Sequence, residues 1–244
     1  MENHDIKIML NGGGYKFELK RNFLLKYFDV ISHKKRSEMF QLFMTDIAPS
    51  SHDKVIDIGV SPENDYSGSQ NYFEKHYPHL DNLTVASIED ASNLEKIYKN
   101  VRFVRLEQDA NFPFSDNEFD ILFCSAVIEH VGNHEKQLAF LQEIARVSKK
   151  VFLTTPNKYF PVEFHTFLPL LHWLPQQVHQ RILNMLGMKF WGSLDNLNLL
   201  TKRKLLAMAG KIDRNICVKS VKLFGITSNL VLIMKQKGDR NETR

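Results

Sequence analysis

Two cysteines, Cys124 and Cys217, are all that this 244-residue chain contains. They lack metal-type spacing and cannot build a disulfide framework, so neither a zinc-thiolate site nor a secreted scaffold is expected. Such a chain reads as reduced and cytoplasmic. The opening MENHDIKIML has no basic segment followed by an apolar core, so no secretory signal is read. Proline, histidine or charge interrupts every apolar run well short of the roughly 18 residues a spanning helix needs. Basic and acidic residues nearly balance, 32 against 28, for a net charge of +4. No basic stripe stands out, which argues against a nucleic-acid partner. No G-x-G-x-x-G follows the first predicted strand, which disfavours a nicotinamide-dependent oxidoreductase. Repeats and low-complexity tracts are absent.

What is present is ordinary globular chemistry, 43% hydrophobic and 25% charged. The reading is one domain over 1–244, with a helical lead at 1–50 and a helical insertion at 160–200. The organising stretch is Lys54–Asn64, KVIDIGVSPEN. Its apolar run predicts a short strand covered on both faces. Asp57 is out of place in such a run, because a buried carboxylate is costly unless hydrogen-bonded. Gly59 then permits a sharp turn and close approach of a ligand to the backbone.

In order along the chain, His33–Ile47 reads as a helix and Gly12–Gly14 as a turn before it. Further strands are expected at Leu83–Ile88, Val101–Leu106, Phe119–Ser125 and Val151–Thr155. Helices are expected at Gln70–Tyr77, Ser92–Lys99 and Glu135–Val147, the last preceded by a helical start at Ala126–Val131. The aromatic, proline-broken stretch Phe160–Trp191 predicts helical pieces on one side of the sheet. A helix capped by Thr201 and a strand pair, Val218–Phe224 and Asn229–Lys235, close the pattern. Strands alternating with helices and ending in a hairpin argue for a mostly parallel α/β sheet with helices on both faces. Ligands of such sheets sit at the carboxyl ends of the strands.

The ordered set Asp57–Gly59, the acids after the second strand, Asp109 after the third, and then NFPFSDNEFDILFCSAVIEHV resembles the class I S-adenosylmethionine-dependent methyltransferases. The resemblance spans about Val55–Asn157 and points to the small-molecule subgroup whose fourth strand leads into a Glu-His pair. It implies a Rossmann-like seven-stranded sheet of order 3-2-1-4-5-7-6, S-adenosylmethionine as cofactor and a small-molecule acceptor. It also implies that Asp57, Gly59 and Ser61 hold the methionine end, that Asp109 and the Ala110 amide take the adenine, and that Ser125 meets the methionine moiety. The chain departs from the family pattern at Ser61, where a second glycine is usual, and at Ser87, where the ribose acid is usual. Glu89 and Asp90, two and three residues on, are the substitutes.

For methyl transfer to a hydroxyl, His130, Glu163 and His165 are the candidate bases. Glu163 and His165, two apart in an expected extended segment, would point the same way. Plainer readings stand beside these. Glu129-His130 also suits a helix start, where acids are favoured; Glu163 and His165 also suit an anchor for the insertion; His172 and His179 read as surface or packing residues. The run FLPLLHWLP reads as a lid core or as an acceptor pocket for an apolar or lipid-linked substrate with membrane-surface contact. Two functions remain in view: a methyltransferase acting on oxygen of a sugar or lipid-linked precursor, and a non-catalytic binding relative of the same fold. Oligomeric state is not legible.

Overall fold

The computed structural model of the chain describes residues 6–7, 18–19, 23–62, 71–108 and 111–238. The expected Gly12–Gly14 turn lies outside them. A short antiparallel pair, Ile6–Lys7 with Glu18–Leu19, precedes the main body. Helix α1 spans Phe23–Asp46, starting ten residues before the expected His33.

Seven strands follow: β1 Val55–Ile58, β2 Leu83–Ser87, β3 Arg102–Arg105, β4 Phe119–Ser125, β5 Ser148–Pro156, β6 Asn215–Leu223 and β7 Ile226–Lys235. They form one sheet of order β3-β2-β1-β4-β5-β7-β6. β1 pairs in parallel with β2 and β4, and β4 with β5; β7 runs antiparallel to β5 and β6. This is the expected order, reversed last strand included. The hairpin turns at Phe224 and Gly225, both with positive φ (52° and 80°). Two positive-φ residues suit the twist of a tight two-residue hairpin. The turn therefore falls just before the expected Gly225–Ser228, and β7 gains three residues.

Alternation along the strands splits the core into two layers. Ile56, Ile58, Leu122, Cys124, Val151 and Leu153 pack on one face, against α4 (His134–Val147) and α6 (Lys202–Ala209). Val55, Val85, Ile121, Phe123 and Phe152 pack on the other, against α1, α2 (Tyr72–His76) and α3 (Leu94–Ile97). Phe43 of α1 is fully buried and meets Phe73, Phe123 and Phe152 edge-on at centroid distances of 5.2, 5.3 and 5.4 Å. Such T-shaped contacts favour the ring quadrupoles as well as burial. The α6 start is capped as expected: the Thr201 hydroxyl accepts from the Lys204 amide.

The insertion contains a 3-10 turn at Leu171–Trp173 and helix α5, Gln176–Met185. His172 and His179 are buried there, as packing residues. Gln137 of α4 ties the insertion down. Its side-chain amide donates to the carbonyls of Ile128 and Asn198, while the Asn198 amide N–H donates to the Glu129 carbonyl. No helix among the described residues is long and apolar enough to cross a membrane.

Candidate functional site

Parallel strands bring their carboxyl ends to one edge. Ile58 of β1 lies opposite Ala86 of β2 and Cys124 of β4, and Ser125 of β4 opposite Thr154 of β5. The Gly59 N–H donates to the Ala86 carbonyl, turning the chain at φ +99°. A Cβ at this position would lie 2.1 Å from Val127 Cγ2, so only glycine fits. The loop continues without a second glycine because Asn71 clamps it. The Ser61 N–H donates to Asn71 Oδ1 and the Asn71 side-chain amide donates back to the Ser61 carbonyl.

Asp57 is buried, on the sheet face that α2 covers. Burial, and then the nearby Glu74 carboxyl, push its pKa well above the usual carboxylate range, with Arg36 opposing. Asp57 thus supports the floor of the glycine turn as a protonated or proton-sharing acid. At the β2 tip, Ser87 is buried and its hydroxyl accepts from the Glu89 N–H. Asp90 accepts from the Ser92 N–H, and these Ser92 bonds hold its carboxyl below the usual range. Glu89 is exposed, and its carboxylate makes no hydrogen bond among the described residues. Ile88 beside it leaves 54% of its surface open, an apolar platform that sequence reasoning passed over as the end of a strand. Asp109 and Ala110 lie outside the described residues.

At the β4 tip, the Ser125 and Thr154 hydroxyls are 3.0 Å apart. Ala126 follows with φ +57°, a conformation a non-glycine residue holds at a cost of order 1–3 kcal/mol. It leads into a 3-10 turn, Ile128–His130, where a continuous helical start was expected. The Glu129 side chain is fully buried, and its Oε2 accepts from the Thr155 hydroxyl of β5. Oε1 has no partner among the described residues. His130 Nδ1 donates to the Asn196 carbonyl at 2.7 Å.

Glu163 and His165 do come together, but through a turn rather than an extended strand. The Phe167 N–H returns to the Glu163 carbonyl, and the turn wraps the Glu163 carboxylate. That carboxylate accepts from the His165 N–H, His165 Nδ1, the Thr166 N–H and the Thr166 hydroxyl at 2.6–2.9 Å. Burial works against its charge, yet the His165 and Thr166 donors hold its pKa down to about 2. His165 moves the other way: burial lowers its pKa, but the bond and charge of Glu163, with Glu129 behind, leave it raised. Its ring lies 4.7 Å from the His130 ring, edge to face, and Trp191 flanks both at 4.9 and 5.9 Å. One donor atom each from Glu129, His130 and His165 falls within 4.8 Å of the others. Sequence reasoning named His130, Glu163 and His165. It missed Trp191 and Thr155, and it read Glu129 only as half of the Glu-His pair.

The insertion exposes Phe167, Leu170, Trp173, Leu174, Val178 and Leu186. Cys124, between the two regions, is buried in the sheet, and burial and then Asp57 and Glu129 raise its thiol pKa, so it packs rather than reacts.

A seven-stranded, mostly parallel sheet with a reversed last strand, a glycine turn after β1 and polar groups along the strand tips has the Rossmann-like methyltransferase architecture. Residues 56–151 match the family described as "Methyltransferase domain". Solved structures agree on the fold. Magnesium protoporphyrin IX methyltransferase from Synechocystis PCC 6803, with bound SAH, aligns at TM-score 0.52 and 16% identity, over 92% of this chain and 90% of that one. The PH0226 protein from Pyrococcus horikoshii OT3 aligns at 0.53 and 15%, over 84% and 91%. A SAM-dependent methyltransferase from Methanosarcina mazei aligns at 0.50 and 13%, over 79% and 97%. No curated protein matches the chain.

Proposed function

We propose that this protein transfers the methyl group of S-adenosylmethionine to an oxygen of a small molecule. The observation that carries the reading is one sheet edge holding both halves of such a site. The glycine turn and the Ser87–Glu89 tip lie on one side, and the His130–His165 pair on the other.

In this reading the methionine end lies over Gly59, Ser61 and Ser125, above Asp57. Glu89 takes the ribose hydroxyls in place of an acid at Ser87, and Asp90 is less suited because its carboxylate already caps the Ser92 turn. Ile88 lies against the base, with Asp109 and the Ala110 amide at its edge. The acceptor oxygen enters beside His130 and His165, and Glu163 positions His165 rather than acting as the base itself. The oxygen lone pair forms the new O–C bond as the C–S bond breaks. The pair from that bond stays on sulfur, giving neutral S-adenosylhomocysteine, and the acceptor proton leaves to a base or solvent. Alignment of this displacement is worth about 7–11 kcal/mol. The acceptor is a sugar or a lipid-linked precursor; the open apolar side chains of 167–186 favour the lipid-linked one, and contact of the 160–191 segment with a membrane surface.

Calorimetry with S-adenosylmethionine and S-adenosylhomocysteine tests the reading. Binding is expected, and Glu89→Ala should weaken it about 10- to 100-fold, the loss of one or two hydrogen bonds to a charged group. Asp90→Ala should weaken it less. No binding of either nucleoside at millimolar concentration overturns the proposal. A second reading, a non-catalytic relative, draws on Ser61 and Ser87 standing where the family pattern has a glycine and an acid. Product formation with any acceptor excludes it.

A further inference from the structure

We propose that Glu129, His130 and His165 form a binding site for one divalent first-row transition-metal ion at the tips of β4 and β5.

The protonation pattern of the two imidazoles is fixed by their partners. A backbone carbonyl can only accept, so His130 Nδ1, bonded to the Asn196 carbonyl, carries a hydrogen. The Glu163 carboxyl already accepts from the His165 N–H, the Thr166 N–H and the Thr166 hydroxyl, so the His165 Nδ1 facing it carries one too. Each neutral ring is then left with its lone pair on Nε2, and neither Nε2 has a hydrogen-bond partner among the described residues. This is how metal-binding histidines are held: one nitrogen donates to a carbonyl or carboxylate while the other faces the ion.

Glu129 supplies the third donor. Its Oε2 is fixed by the Thr155 hydroxyl, and its Oε1 is buried without a partner. A fully buried carboxylate oxygen left unpaired costs several kcal/mol unless a cation or proton meets it. Among the described residues no lysine or arginine pairs with Glu129 or Glu163. One ring nitrogen of each histidine and one carboxylate oxygen of Glu129 lie within 4.8 Å of one another. An ion about 2.1 Å from each holds donors roughly 3–4 Å apart, so small side-chain rotations close the set.

The donor chemistry names the class of ion. Two imidazoles and one carboxylate suit Mn²⁺, Fe²⁺, Co²⁺ or Zn²⁺ better than Mg²⁺ or Ca²⁺, which prefer oxygen throughout. Three protein ligands leave coordination positions open. Trp191 walls one side of the two rings. Where the methyl-transfer reading holds, those positions take the acceptor oxygen. Binding of the ion itself does not depend on that reading.

The test uses the whole chain, stripped with EDTA and titrated with Co²⁺, Mn²⁺ and Zn²⁺ in the absence of any nucleoside. One equivalent is expected, with a Co²⁺ visible spectrum of mixed nitrogen and oxygen ligation. Glu129→Gln and His165→Gln should each weaken binding about 10- to 100-fold or more. Folding of each variant is checked by circular dichroism in EDTA. For the unsubstituted protein, Co²⁺-shifted histidine ring protons report the same ligation without any substitution. Absence of binding by all three ions at millimolar concentration overturns the site, as does unchanged affinity in both folded variants. S-adenosylmethionine binding measured in EDTA is a separate readout, so failure of the metal site and failure of the methyltransferase reading are distinguishable.

Discussion

Replacing Gly59 by alanine isolates the turn after β1, on which the proposed cofactor side rests. Two separable penalties are expected. The added Cβ would stand 2.1 Å from Val127 Cγ2, far inside contact distance, and Val127 is a β-branched side chain with little rotamer freedom. Overpacking of this kind costs about 1–3 kcal/mol. Independently, alanine must hold φ near +99°, which costs a further 1–3 kcal/mol or so. Their sum, about 2–6 kcal/mol, is a large part of the roughly 5–15 kcal/mol that stabilises a domain. At about 2–4 °C per kcal/mol for a chain of this size, the melting temperature should fall by 4 °C or more. The cycle with Val127→Ala divides the two penalties. The double variant should recover the steric share, a coupling of about 1–3 kcal/mol, and keep the backbone share. Thermal denaturation by circular dichroism reads all four proteins. A Gly59→Ala protein that melts with the unsubstituted one refutes the reasoning, and so does a double variant with no recovery.

Asp57→Asn should stabilise the fold at neutral pH. An acid whose folded pKa is raised contributes stability that is fully present below its unfolded pKa, about 3.9, and is lost as pH rises through the folded value. The melting-temperature advantage of the asparagine variant should therefore grow from pH 4 toward neutrality; a variant less stable than the parent at neutral pH would contradict the assignment. Phe43→Ala removes a fully buried ring at the centre of the α1–sheet contact and should cost about 3–5 kcal/mol in urea denaturation. A loss below about 1 kcal/mol would show that α1 is not part of the cooperative core.

The sheet was legible because its signals are local. β4 begins and ends at the predicted residues, and within it Ile121, Phe123 and Leu122, Cys124 alternate between two buried layers. Ends set by tertiary contacts were less legible. β5 starts at Ser148, three residues early, because its pairing with β4 extends to Phe119, and the charged Lys149 and Lys150 gave no apolar signal. α1 extends back to Phe23 through a segment whose mixed charge gave no stripe. Within the site, histidine and glutamate identities were readable, but their division of labour was not. Glu163 looked like a base in sequence; only the turn over Thr166 shows that every oxygen lone pair facing inward is already used. Glu129 looked like a helix-start acid until the 3-10 turn aimed it at Thr155, 26 residues away.

The two halves of the edge are built by different means, and that difference explains where the family pattern can erode. On the side proposed for the cofactor, every bond ends on a backbone group: the Gly59 N–H reaches the Ala86 carbonyl, and the Asn71 and Ser87 side chains bond the backbone of Ser61 and Glu89. Replacing a second glycine with Ser61 is tolerable there because Asn71 fixes the loop from the next helix. On the acceptor side almost every contact is between side chains, or from a side chain to the insertion. His130 is held by Asn196, Glu129 by Thr155, and His165 by Glu163. Gln137 and Asn198 then lock the insertion to the turn that carries Glu129 and His130. The insertion is thus a structural part of the His130–His165 pair, supplying one ring and orienting the other, so under the methyl-transfer proposal variation in 160–198 changes the acceptor side while leaving the nucleoside side intact.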